Sequence, residues 1–237
     1  LWNQLHQREL VTRNPWTGWN FENGQKTVRR SWTTKELALL ASASWHSTSV
    51  PEQTFRLVTL IAAYSGMRLG EICTLRKEDL QTVDGILCFL IQPHAETGWA
   101  PKTEAGNRVV PVHSKLIEVG ILALKDTTDG PYLISGLETS KQGTRGAALG
   151  RAFSLLKTRI GLPAEITFHS FRHTVSTQLR KAHTDIREVW IDRLLGHEAT
   201  HKSQGTTTYL TSISTANLKQ TIEAISYPET AFANMTI

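Results

Sequence analysis

Residues 86–112 read ILCFLIQPHAETGWAPKTEAGNRVVPV. The two ends, ILCFLIQ (86–92) and NRVVPV (107–112), are rich in β-branched residues, and the polar APKTEAG between them reads as the tip of an antiparallel hairpin. Outward from this hairpin the chain turns helical on both sides. Upstream, Thr33 and Glu36 form a capping box ahead of ELALLASASW, and a second helix is predicted from Pro51 through TFRLVTLIAAYS to Gly66, which suits a left-handed C-terminal position. A short helix is expected over Leu69–Leu75. Downstream, helical patterns cover SKLIEVGILAL (114–124), 142–160, 169–182 and 185–195, with shorter pieces at 206–211 and 214–225. The expected fold is mainly α with a small antiparallel β-sheet, an α+β chain without internal repeats.

At 237 residues there is room for one large domain, or one domain plus a remnant. Residues 1–32 carry Trp2, Trp16 and Trp19 with Asn-Pro and Asn-Gly turn signals, and read as a linker or the end of a missing domain. The main domain is expected over 33–225, and residues 226–237 as a frayed tail. Two cysteines, Cys73 and Cys88, make no disulfide framework and are expected as buried core thiols in a reducing compartment. No run approaches the roughly 20 apolar residues of a membrane span, and LWNQLHQREL is too polar for a signal peptide, so the cytosol is the expected location.

The net charge is +5, but its distribution says more. Between Lys141 and Lys181 eight basic residues face a single acid, Glu165, an excess of seven that exceeds the whole-chain total. Such a concentration suits a phosphate backbone, although a solvated helix face looks the same in sequence.

Several reactive side chains recur at suggestive spacing. Arg68 and Glu71 in SGMRLGE sit three residues apart on one helical face, a spacing that also fits an ordinary surface pair. His169 and Arg172 in HSFRHT share a face, where an imidazole beside a guanidinium makes sense around an anion that both bind; the structural alternative is a capping His169 and a solvated Arg172. His197 follows a helix ending at Gly196, and Tyr209 comes twelve residues later in TTTYL. Alone, that tyrosine would be read as core.

Taken in order, SGMRLGEICTL, PKTEAGNRVVPV, TFHSFRHTVSTQL, LLGH and TTTYL resemble the signature of the tyrosine recombinase (phage integrase) family, over Thr33 to Ile225. The hairpin motif supplies Lys102, followed by Arg108 and Pro111 in the family's pattern; the stretch between His197 and Tyr209 is a few residues longer than usual. The resemblance implies a catalytic domain in which Arg68 and Arg172 clamp the nonbridging oxygens of a scissile phosphate and His197 donates a further hydrogen bond. Tyr209 would attack phosphorus to give a 3′-phosphotyrosine, His169 would take its proton, and Lys102 would protonate the departing 5′-oxygen. Glu71 would hold an arginine and His173 would support the site; Arg145, Arg151 and Arg180 are candidate backbone contacts to DNA. No metal or cofactor is required. The implied partner is double-stranded DNA, bound by a tetramer on two sites, with the isolated chain a monomer and no membrane involved. The implied role is integration or excision of a mobile element in a bacterial cytoplasm or nucleoid, with 1–32 then the remnant of an N-terminal DNA-binding domain.

Three rivals are weighed against this. HEATH (197–201) matches the HExxH zinc motif, but Gly196 precedes it, loop-like KSQGTTT follows, and only Glu223 offers a distant third ligand. A non-catalytic DNA-binding module would not need every chemical position filled, and a type IB topoisomerase-like enzyme would share the phosphotyrosine chemistry. The apolar stripe Ile213, Leu218, Ile222 and Ile225 packs on its own domain or, as the resemblance implies, lets the 212–225 helix dock on a neighbouring protomer. Trp190 is expected in the core.

Overall fold

The computed structural model describes residues 2–15, 17, 28–140, 143–182, 185–197, 213–233 and 235. Tyr209, the stretch 206–211 expected as helix, and Glu198 and His201 of the zinc-like motif lie outside the described residues. The order is α1 (Trp2–Gln7), α2 (Thr34–Ser42), α3 (Glu52–Ser65), α4 (Leu69–Thr74), β1 (Leu80–Val83), β2 (Ile86–Ile91), β3 (Arg108–Pro111), α5 (Ser114–Glu118), α6 (Leu124–Thr127), α7 (Ala147–Arg159), α8 (Ser170–Lys181), α9 (Glu188–Leu195) and α10 (Thr215–Glu223). The mainly helical chain with a small antiparallel sheet is therefore as expected.

The local signals explain most boundaries. Thr33 caps α2 reciprocally with Glu36, its hydroxyl accepting from the Glu36 amide at 3.3 Å while the Glu36 carboxylate accepts from the Thr33 amide at 2.9 Å. The helix stops at Ser42, earlier than the pattern predicts, and Trp45 instead stacks on Phe55 with ring centroids 4.0 Å apart. Gly66 closes α3 at φ 65°, and a Cβ there would lie 2.7 Å from Leu195 Cδ2. The expected helix over 114–124 is broken at Gly120, leaving α5, a 3₁₀ turn and α6.

The sheet has the order β1-β2-β3, all antiparallel. Strand β1 was not expected; Asp84-Gly85, both at positive φ, turn it into β2, so that Val83 faces Ile86. Ile91 pairs with Arg108 across the predicted hairpin, whose long connection carries Lys102.

The core is built on α3, buried from Phe55 to Ala63 except for polar edges, and on α8, which places Phe171, Val175 and Leu179 against it. Trp32 stacks on Phe171 at 5.0 Å, and its amide donates to Thr174 Oγ1 at 2.9 Å. Cys73 and Cys88 are buried free thiols, and Trp190 is partly buried against the core. One expectation is corrected and one open alternative is decided. The stretch read as frayed is packed at Tyr227, Ala231 and Met235: the Tyr227 hydroxyl donates to the Ala63 carbonyl at 3.0 Å, within a ring cluster of Tyr64, Tyr227 and Phe232. Of the two alternatives for the apolar stripe of the 212–225 helix, packing on its own domain is the one seen: Leu218, Ile222 and Ile225 are buried and Ile213 is partly buried against the same core.

Candidate active site

Arg68 stands at the N-cap of α4, where Gly66 and Met67 turn the chain out of α3. Its amide donates to Glu71 Oε2 at 2.9 Å and its guanidinium to Glu71 Oε1 at 2.7 Å, so the i,i+3 spacing does bring the two together. The surface-pair alternative fails because Glu71 is only 4% exposed. A second arginine, Arg108 from β3, reaches the same carboxylate through Nη2 at 2.8 Å and Nη1 at 3.1 Å. Burial alone would push the Glu71 carboxyl up; the hydrogen bonds and charge of Arg108, with those of Arg68, outweigh it and hold the group at about 2.

Arg172 comes from the first turn of α8, is 4% exposed, and donates through Nη1 to the Gly66 carbonyl at 3.0 Å and through Nη2 to the Leu195 carbonyl. The solvated alternative for Arg172 is thereby removed. Burial and the adjacent charges of Arg68 and Arg108 lower its pKa, with Glu71 opposing them; an arginine remains charged at neutral pH all the same. Three guanidiniums thus influence one another around a single carboxylate, an electrostatic excess that an anion would relieve.

His169 occupies the N-cap of α8 but makes no side-chain cap hydrogen bond. Partial burial, then the charges of His173, Arg172, Arg29 and Arg68, push it down to about 4, so it is a neutral imidazole at pH 7. His173 lies edge-on to it with ring centroids 5.0 Å apart, and is lowered by burial, Arg29, Arg172 and His197. His197 follows Gly196, whose φ of 64° ends α9; its Nδ1 pairs with Asp192 Oδ1 at 3.0 Å. With Nδ1 engaged, Nε2 is the nitrogen left to face a ligand. Lys102 is exposed in the β2–β3 connection, whose base approaches the same region: a Cβ on Gly196 would lie 2.9 Å from the Ala105 carbonyl.

The candidate DNA contacts fare differently. Arg145 is corrected: it is buried, its three guanidinium nitrogens donate to the carbonyls of Cys73, Ile134 and Leu137, and it lies 3.8 Å over the Tyr132 ring, so it cannot reach a duplex. Arg180 is largely neutralised by Glu188 and Asp192. Arg151 is exposed on α7. The basic run 141–181 is therefore not one open patch. The zinc reading loses support as well, because α9 stops before His197 and Glu223 is held by Ser114 and Lys219.

Arg108 and Asp192 are two site residues to which the sequence alone assigns no role. Arg108 shares its strand face with buried Val110, so a charged residue on the apolar phase of a strand was the available signal. For Asp192, five residues before His197, the sequence offers no comparable cue.

The pattern that defines the phage integrase family matches residues 32–212. Tyrosine recombinase XerA of Pyrococcus furiosus is 26% identical over 202 residues, covering 84% of this chain and 62% of the relative. XerA of Thermococcus kodakarensis is 30% identical over 171 residues, covering 71% of this chain and 54% of the relative. This chain thus spans between about half and three fifths of their length. Among solved structures, the Tn1549 transposon integrase in complex with circular intermediate DNA superposes with a TM-score of 0.57 at 17% identity, covering 95% of this chain and 77% of that one. The integrase of mycobacterium phage Brujita gives 0.56 at 17% identity, over 100% and 73% of the respective chains. These likenesses concern the fold, and the match over most of the sequence settles the kinship: the chain belongs to the phage integrase family.

Proposed function

We propose that this chain is the catalytic part of a site-specific DNA recombinase that breaks and rejoins strands through a 3′-phosphotyrosine on Tyr209. The observation that carries the reading is the gathering of Arg68, Arg108 and Arg172 around one carboxylate beside a neutral His169. A phosphodiester in displacement spreads negative charge over its nonbridging oxygens, and two partly committed guanidiniums with the His197 imidazole meet that charge in a fixed geometry.

In the proposed reaction the Tyr209 oxygen bonds to phosphorus while the bond to the 5′-oxygen breaks. A free tyrosine is ionised only about once in 10³ molecules at pH 7, so the arginine field must favour the phenolate, and His169 takes the proton only once the bound phosphate anion offsets the cations that lower its own affinity. Lys102 gives the 5′-oxygen its proton. Rejoining is the reverse, with a 5′-hydroxyl attacking the phosphotyrosine, and no step calls for a metal or cofactor. The DNA in the Tn1549 integrase complex and the recombinase names of the relatives support double-stranded DNA as partner and a mobile element as context. Exchange of four strands in pairs implies a tetramer on two sites, although the apolar residues of α10 are taken up within the chain. A soluble bacterial setting fits this reading, and no described helix is long and apolar enough to cross a membrane.

The test is incubation with a suicide DNA substrate followed by denaturing electrophoresis. The wild type is expected to form a covalent adduct that Tyr209→Phe loses while still binding DNA; an adduct that persists in the variant moves the nucleophile elsewhere. Chelator is expected to leave the adduct intact, and its loss would favour a metal-dependent reading.

A further inference from the structure

Three consecutive carbonyls at the end of α9 are each held by a different arginine. Leu194 accepts from Arg108 Nε at 2.8 Å, Leu195 from Arg172 Nη2, and Gly196 from Arg68 Nη2 at 3.4 Å. The last carbonyls of a helix lack partners within it and carry partial negative charge, so guanidiniums suit them. Arg68 and Arg172 also have a proposed part in binding phosphate. Arg108 does not, since its side chain has no solvent exposure.

Its contacts nevertheless join the parts of the site. Besides Leu194 it binds both oxygens of Glu71, which in turn holds the amide and guanidinium of Arg68. It also donates to the Gly106 carbonyl at 3.0 Å, at the base of the connection carrying Lys102. Gly196 packs so closely that a Cβ would lie 2.9 Å from Arg108 Nη1, which fixes the turn leading into His197.

We propose that Arg108 is a positioning residue for strand cleavage, setting Arg68 through Glu71 and His197 through the final turn of α9. The assignment rests on the recombinase reading above. A buried arginine and carboxylate are no better for stability than a well-packed apolar pair, because desolvation offsets their attraction; what they supply is orientation. A lysine keeps the charge but lacks the planar fork that serves Glu71 and Leu194 together.

The test compares wild type with Arg108→Lys in single-turnover adduct formation at saturating protein, normalised to folded protein. The expected loss is about 10²-fold in rate with DNA affinity unchanged, the scale on which misplacement costs catalysis. The second substrate carries a neutral methylphosphonate at the scissile position, which removes the anionic oxygen that Arg68 and His197 would meet. There the difference between the two proteins is expected to narrow by at least about tenfold. A purely structural arginine would give the same ratio on both substrates. If Arg108→Lys does not fold, Glu71→Gln interrupts the same link from the other side and is expected to narrow in the same way. Equal rates on ordinary DNA, or an undiminished ratio on the methylphosphonate, overturn the positioning role alone. A wild type that forms no adduct overturns the recombinase reading and this inference with it.

Discussion

Among the described residues, arginine is buried in two places, and they differ in what surrounds the charge. At Arg145 three carbonyls and the face of Tyr132 receive the charge, and among the described residues no second cation acts on it. At the end of α9, Arg68, Arg108 and Arg172 crowd around Glu71, and each also holds a carbonyl of the same turn. The first arrangement is complete as it stands. The second retains unbalanced positive charge, and Arg172 loses proton affinity through burial and the neighbouring guanidiniums. A buried arginine is therefore no sign of an anion site by itself; crowding of like charges is.

The largest expected effect sharpens this contrast. Arg172→Lys should slow covalent adduct formation by about 10³-fold, the scale associated with removing one fixed guanidinium from a phosphoryl transition state, and a near-normal rate would count against the clamp. Arg145→Met should do the opposite. Leaving three carbonyls without a donor should cost about 3 kcal/mol in urea unfolding, while the adduct rate per folded molecule stays at the wild-type value. A selective loss of chemistry in Arg145→Met would break the comparison.

Acid titration separates the regions next. His169 is held at about 4, so the folded state refuses a proton that the unfolded chain takes near 6.5; its contribution is full above that value and is lost as pH falls toward 4. His173 is lowered as well and adds to this stage. Glu71, at about 2 against an ordinary 4.5, contributes fully above 4.5 and loses its share as pH falls toward 2. Urea unfolding from pH 8 to 3 should therefore weaken first below about 6.5 and again below about 4.5. His169→Asn should flatten the upper stage; a wild type with constant stability between 6.5 and 4 would contradict the burial of that imidazole. The smallest effect concerns the surface. Arg151→Ala should reduce the slope of log affinity against log salt by about one, while Arg180→Ala, already paired with Glu188 and Asp192, should change it far less.

These contrasts also explain how much could be read in the sequence. Local chemistry was legible: the Thr33–Glu36 capping box and the left-handed Gly66 and Gly196 stand where their residue types require. The pairing of Arg68 with Glu71 followed from helical spacing. Strand β1 is hard to read from sequence although Asp84-Gly85 announces a tight hairpin, because the short run before it lacks strong alternation. Arg145 is not legible as an interior residue because counting charge along 141–181 carries no information about burial, and of its carbonyl partners Cys73 is 72 residues away in α4, while Ile134 and Leu137 lie in the irregular stretch just before it. Arg108 had a visible cue in its strand phase, but its partners Glu71 and Leu194 lie 37 and 86 residues away and only folding brings them together.

The phenolic oxygen of Tyr209 is the atom expected to become joined to DNA. Trypsin digestion of the trapped adduct, followed by mass spectrometry, would release residues 203–219, SQGTTTYLTSISTANLK, with Tyr209 as the only tyrosine in that peptide. This peptide is expected to carry the nucleotide, on Tyr209. A nucleotide on a peptide containing Tyr64, Tyr132 or Tyr227 would contradict it.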